Sequence, residues 1–169
     1  MPEAMSDDPL QQSQLLPSVR VGALVIVEDR VLLLRQERGG EDYWMLPGGG
    51  VRFGESLADA VRRELREEVG LEIAVGRPLA LLESISPDPD AYPKHVLHVV
   101  LAGETSAAEV AEASVGPFSL AVHDPKVLAA RLFAAGEIEA LAMKPPIHDF
   151  VVECFTRPPS AMVYLGRRW

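Results

Sequence analysis

The sequence holds one cysteine, Cys154, in 169 residues. It can neither close an internal disulfide nor join a second thiolate around zinc, which excludes a disulfide scaffold and a zinc finger and fits a reducing, cytoplasmic setting. Basic residues are also scarce: 16 Lys and Arg face 25 Asp and Glu, for a formal charge of -9. With so few bases, a broad electropositive surface tracking polymeric nucleic acid is not expected. A small anionic ligand remains compatible, because a few placed bases or a divalent cation can invert the local field. No apolar run approaches the length of a bilayer span, so no membrane partner is expected. Residues 1–18 lack both a basic start and an apolar segment; they read as a loose tail ahead of a single domain over 19–169.

What is present is an ordinary globular composition, 48% apolar and 24% charged, enough for one packed core. Residues 19–27 and 31–34 are apolar and β-branched around Glu28-Asp29-Arg30, the pattern of a hairpin. A short strand at 43–46 stops at Pro47-Gly48-Gly49-Gly50, where glycine opens backbone angles closed to other residues. Over 56–69 the period becomes helical, with Leu57, Val61, Leu65 and Val69 four apart and Gly70 as the stop. Strands are expected at 79–85 and 95–102 around a proline-rich loop, with a shorter one at 118–122. Asp124-Pro125 predicts a helix entry, with His123 just ahead, and a helix to about residue 135. Residues 147–155 suit either a helix or a strand. The sum is an α+β layout.

The chemistry concentrates between Gly49 and Leu71. At about 100° per residue, Glu64 and Glu68 fall among Leu57, Val61 and Leu65, on the face turned to the core. Two carboxylates there repel one another and are costly to bury, a conflict that a bound cation resolves. Glu67 lies on the shoulder of the same stripe, giving three hard oxygen donors within about one turn, a set that favours Mg²⁺ or Mn²⁺. Arg63, four residues before Glu67, is placed to hold that carboxylate, while Arg62 and Arg66 point outward. The glycines ahead of the helix let a backbone carbonyl approach the same cation and N–H groups approach phosphate oxygens. Composition alone would equally suit a solvated surface helix.

Identity and spacing say more than composition. Gly49, Glu55, Arg63, Glu64, Leu65, Glu67, Glu68, Gly70 and Leu71 fill every defined position of Gly-x5-Glu-x7-Arg-Glu-U-x-Glu-Glu-x-Gly-U, with U apolar. This 23-residue stretch resembles the Nudix box of the Nudix hydrolases, and the lead-in from Tyr43 to Gly49 is similar to that family's approach to its metal loop. The resemblance implies an α/β/α sandwich around a mixed sheet. It also implies hydrolysis of a nucleoside diphosphate linked to another moiety, with Mg²⁺ or Mn²⁺, by an enzyme that often works as a homodimer. By the same resemblance Glu64 and Glu68 are the main metal ligands beside the Gly48 carbonyl. Glu67 binds metal directly or through water, and Glu55 supports the loop. The proton of the attacking water goes either to Glu67 or to a later acid, for which Glu104, Glu109 and Glu112 are the candidates.

Substrate choice lies outside the box. Pro87, sixteen residues beyond Leu71, resembles the downstream proline of ADP-ribose pyrophosphatases and makes ADP-ribose the expected substrate. Nucleoside triphosphates, dinucleoside polyphosphates, nucleotide sugars and a purely binding, non-catalytic module are the alternatives. Arg35, Arg38 and Arg52 flank the expected cleft as phosphate or ribose contacts. Tyr43 and Trp44 suit either base stacking or the core. His95 and His98 are three apart on one strand and face opposite sides, so neither is assigned to metal.

Overall fold

The computed structural model describes residues 16–88 and 93–169. Most of the expected tail, and the stretch 89–92 inside the proline-rich loop, lie outside the described residues. The chain runs β1 (Ser18–Val27), β2 (Arg30–Arg38), β3 (Glu41–Met45), α1 (Leu57–Val69), β4 (Ala74–Ile85), β5 (His95–Glu104), α2 (Ala107–Ala113), β6 (Ser114–Gly116), β7 (Ser119–Leu120), β8 (Ala129–Ala134), α3 (Ala135–Ile138), α4 (His148–Cys154) and β9 (Val163–Arg167). The strands form one mixed sheet in the order β6-β7-β8-β2-β1-β5-β4-β9, with β3 also paired to β2. β1 with β5 and β4 with β9 are the parallel pairs.

Alternation along the central strands divides the core in two. Val21, Ala23 and Val25 of β1 and Leu32 and Leu34 of β2 pack with Val61, Leu65 and Val69 of α1. Leu24, Val31 and Leu33 point the other way, onto Ile138 of α3 and Phe150 and Val151 of α4. Helices therefore cover both faces, the three-layer sandwich expected from the sequence. Among the described residues no helix is long and apolar enough to cross a membrane.

One departure from ordinary pairing shapes the site. β1 and β2 are in register only at Ile26–Val31 and Val27–Arg30 beside their turn, and then part. The vacated edge of β1 is taken by the glycine loop: the Val21 and Ala23 N–H groups donate to the Gly49 and Pro47 carbonyls at 2.9 and 2.8 Å, and the Val51 N–H donates to Val19 at 3.0 Å. A central strand must satisfy its backbone groups; here the loop does so in place of a neighbouring strand.

The expected helix over 124–135 is corrected. Asp124 caps a turn instead, accepting the Lys126 N–H on Oδ1 at 2.8 Å and the Val127 N–H on its carbonyl at 3.0 Å. Residues Ala129–Ala134 then pair with β2 from Ala129–Arg35 to Ala134–Arg30. Leu128 and Leu132 imitate a helical period, but Ala130 and Leu132 fit a strand period equally, and pairing with β2, buried from Val31 to Leu34, decides the outcome. His123 accordingly sits in the loop before this turn. The short strand expected at 118–122 narrows to β7, and residues 147–155 resolve as α4. Four alanines and two glutamates at 107–113 form α2 behind a capping box in which Ser106 and Glu109 bond one another's backbone N–H groups. Ser106-x-x-Glu109 is the sequence signal for that helix.

Candidate active site

α1 is fixed at both ends by its own sequence. Ser56 accepts the Asp59 N–H at the N-terminus, and Gly70, at φ 69°, closes the other end by donating to Arg66. Fully buried Val61, Leu65 and Val69 anchor the helix on the sheet and thereby turn Glu64 and Glu68 toward the glycine loop. Glu68 is only 3% exposed and accepts the Gly48 N–H on Oε2 at 3.0 Å. Burial pushes its carboxyl up to about 8; the Gly48 N–H and the Arg20 guanidinium oppose this, while Glu64 and Asp124 add to it by repulsion. A carboxyl buried this deeply keeps its proton in the neutral range unless further positive charge arrives beside it.

The other three acids meet at one guanidinium. Arg63 holds Glu55 by two hydrogen bonds of 2.7 and 2.9 Å, Glu64 at 2.7 Å, Glu67 at 3.3 Å and the Gly50 carbonyl at 2.9 Å. The sequence assigned Arg63 to Glu67; its shortest contacts are with Glu55 and Glu64. This pair with Arg63, with the Arg52 N–H second, holds the Glu55 carboxyl down to about 2. Arg52 also reaches Glu67 at 3.4 Å from the exposed side. Among the described residues, no three acidic, His or Cys side chains stand together as a ready cation cage.

Two glycines make this convergence sterically possible. Gly48 has φ +145°, and a Cβ there would stand 2.1 Å from the Val21 carbonyl oxygen. At Gly49 a Cβ would fall 2.3 Å from Glu64 Oε1. The loop thus lies against both β1 and the acidic face of α1 because neither residue has a side chain.

The expected substrate contacts are not all brought together. Arg35 pairs with Trp44, and Gln36 with Tyr43, so strand alternation turns Arg35 to the face opposite Tyr43 and Arg38. Arg35 lies 3.8 Å from Asp42. Tyr43 donates to Gln36 at 3.3 Å and lies 5.3 Å from the Lys144 ammonium. Trp44 belongs to the core, edge-on to Phe133 at 4.7 Å, and Arg52 stands with the acids. Among the later acids, Glu109 is committed to the cap of α2, and a Cβ at Gly76 would lie 3.9 Å from Glu104 Oε1. Glu112 is exposed. His95 and His98 do face opposite ways, to Glu83 and Ser84 at 3.3 and 3.1 Å.

Two contributors were missed by sequence reasoning. Arg20 of β1 donates to the Gly48 carbonyl at 3.4 Å; nothing local marks it, since its place depends on β1 parting from β2. Asp124 comes within electrostatic reach of Glu68 because the His123 N–H donates to the Glu68 carbonyl at 2.8 Å.

His98 carries its own pH signature. Burial, then Arg20 and Lys94, push its imidazole down to about 4. Below the ordinary histidine value the unfolded chain takes up a proton that the folded chain refuses, so stability falls as pH drops from about 6.5 toward 4. Urea melts at pH 7 and pH 5 should show the wild type losing about 2 kcal/mol more than His98→Gln over that interval. Equal losses would mean that His98 ionises normally in the folded state.

Comparison with known proteins gives the class. The NUDIX domain model matches residues 16–154, most of the chain, and the chain belongs to that family. An ADP-ribose pyrophosphatase of Methanocaldococcus jannaschii is 31% identical over 101 residues, 58% of this chain and 60% of the relative. An RNA pyrophosphohydrolase of Ruthia magnifica is 50% identical over 48 residues, 28% of this chain and 27% of the relative. The matches thus span at most three fifths of these two relatives' own lengths. In fold, the chain is similar to the MutT protein of Methanosarcina mazei, with a TM-score of 0.63 at 23% identity over 86% of this chain and 97% of the other. A NUDIX hydrolase from Nitrosomonas europaea gives 0.61 at 21% over 82% and 87%.

Proposed function

We propose that this protein is a pyrophosphohydrolase that cleaves the diphosphate bond of a nucleoside diphosphate linked to another moiety, with ADP-ribose as the leading substrate and Mg²⁺ or Mn²⁺ as cofactor. The observation that carries this reading is Glu68, a buried carboxyl whose neighbours Glu64 and Asp124 repel it. That donor set fits a hard divalent cation, held by Glu64 and Glu68 with the Gly48 carbonyl and with Glu67 directly or through water. When bound, such a cation neutralises diphosphate oxygens and acidifies a water molecule.

The chain's own residues do the rest. Arg63 fixes Glu55, Glu64 and Glu67 relative to the loop, so little reorganisation is left for the reaction itself. Glu67, oriented by Arg52 and Arg63 and open to solvent, is the group placed to take the proton of the attacking water. With Glu109 spent on a helix cap, Glu67 is favoured over that later acid. The likeness to an ADP-ribose pyrophosphatase supports the substrate, as does the position of Pro87; a buried free Cys154 supports a cytoplasmic setting.

The test is incubation with Mg²⁺ and ADP-ribose, nucleotide sugars, dinucleoside polyphosphates and nucleoside triphosphates, with products separated by chromatography. AMP and ribose 5-phosphate from ADP-ribose are expected. Preferred cleavage of another compound would replace the substrate, and cleavage of none would leave a binding module. Arg63→Lys should lower kcat by about 10- to 100-fold, because an ammonium cannot hold Glu55 by two parallel bonds and reach Glu64 and Gly50 as well. Steady-state kinetics with the preferred compound check this, and an unchanged kcat would remove Arg63 from the machinery.

A further inference from the structure

Two arginines stand among the acids of the glycine loop and α1, and they are held very differently. The Arg63 side chain is 15% exposed and touches three carboxylates and the Gly50 carbonyl. The Arg52 side chain is 64% exposed, and among the described residues its guanidinium bonds one acceptor, Glu67 Oε1, at 3.4 Å. We infer that Arg52 is a placeholder: its guanidinium holds the Glu67 carboxylate until a divalent cation claims it, and then turns to an oxygen of the ligand's diphosphate. The inference rests on the pyrophosphohydrolase reading and deepens it, by giving a role to a position that the sequence motif leaves undefined.

Charge decides which group gives way. Glu67 is half exposed and serves both the proposed cation and Arg52, two positive groups that repel one another across one carboxylate. Arg63 shares Glu67 as well, at 3.3 Å, but two bonds to Glu55 and others to Glu64 and Gly50 keep it anchored without that contact. Arg52 has no such second anchor for its guanidinium, and an exposed pair of this kind shifts an equilibrium by no more than about fivefold. Arg52 is therefore the arginine that yields, and Glu67 keeps its orientation through Arg63.

The backbone limits where the guanidinium can go. The Arg52 N–H donates to Glu55 Oε2 at 3.0 Å, and the Arg52 carbonyl accepts the Glu55 N–H at 3.0 Å. Gly54, at φ 79°, closes the turn between them, and Arg63 clamps the Glu55 carboxylate in its place. The root of the Arg52 side chain thus stays beside the acids while the exposed end is free to swing. Released from Glu67, it remains at the solvent-facing rim of the cluster, where a guanidinium can meet phosphate oxygens by two parallel N–H bonds. In a chain of net charge -9, a diphosphate nearing Glu55, Glu64, Glu67 and Glu68 gains from each positive charge turned toward it.

The test reads cation and ligand separately and without turnover. Mn²⁺ alone is titrated into the full chain at low salt, with the free ion followed by electron paramagnetic resonance. Arg52→Gln should bind Mn²⁺ about two- to fivefold more tightly than the wild type, with the difference fading as salt rises. Arg62→Gln is the control: Arg62 carries the same charge on α1 but pairs with Asp59 at 3.0 Å, and its loss should leave the affinity close to that of the wild type. The α,β-methylene analogue of ADP, whose bridging carbon resists hydrolysis, is then titrated calorimetrically at saturating Mg²⁺. Here Arg52→Gln should bind about tenfold more weakly, and Arg52→Lys should recover part of the loss. One substitution thus moves two affinities in opposite directions, which a loss of packing cannot do. An Mn²⁺ affinity that stays level or falls, an equal gain in Arg62→Gln, or an unchanged affinity for the analogue would overturn the inference. A wild type that binds no Mn²⁺ would strike the cation reading and the inference with it. Failure to cleave any diphosphate would leave both titrations readable and strike the hydrolytic reading alone.

Discussion

Replacing Glu68 by Gln should lower turnover by about a thousandfold or more while making the metal-free protein more stable. The loss follows from the site: Glu68 is the buried oxygen donor of the proposed cation set, and an amide keeps its shape without its charge. The gain follows from the same burial. A carboxyl that burial forces to keep its proton in the neutral range, a cost the unfolded chain does not bear, is replaced by a neutral group that still accepts the Gly48 N–H. Relief on the order of 1–2 kcal/mol is expected in EDTA. Activity assays with Mg²⁺ and urea melts in EDTA read the two effects separately. A variant that is both active and no more stable would show that Glu68 is an ordinary structural acid. One that is inactive and unstable would show that its role is packing.

The second large effect is expected at Gly48. Gly48→Ala should cost about 3 kcal/mol or more, because the new methyl meets the Val21 carbonyl and the backbone sits at a φ that side chains rarely adopt. Gly50→Ala is the matched control: nothing lies within 4 Å of a Cβ there, and its stability should stay within about 0.5 kcal/mol of wild type. Thermal melts of the two variants side by side decide the matter. Equal stability would mean that the glycine loop yields easily, which would undo the view that it is a fixed part of the sheet.

The contrast between what the sequence revealed and what it concealed has a physical basis. α1 could be read completely because its signals are local: Ser56 and Gly70 at the ends, leucines and valines at helical spacing, and acids at the wrong place for stability. The central hairpin followed from the apolar, β-branched runs on either side of Glu28-Asp29-Arg30, and the two-sided core from the family resemblance carried by residues 49–71. The stretch 124–135 was misread because Asp124-Pro125 initiates a turn as readily as a helix, and only the distant β2 settles the question. β9 escaped notice because its partner β4 lies some 80 residues earlier in the chain, and short edge strands carry little pattern of their own. Arg20 was silent for the same reason. Its importance comes from the parting of two strands, an event that no window of neighbouring residues records.

That parting also bears on how a ligand enters. Since the Val21 and Ala23 N–H groups are bonded to Gly49 and Pro47, the glycine loop cannot swing away without stripping a central strand of its partners. The loop side of the acidic cluster is therefore fixed, and a ligand entering there would meet a rigid wall. Amide hydrogen exchange at Val21 and Ala23 becomes a direct gauge of the loop's seating, readable in the metal-free protein before any substrate is known.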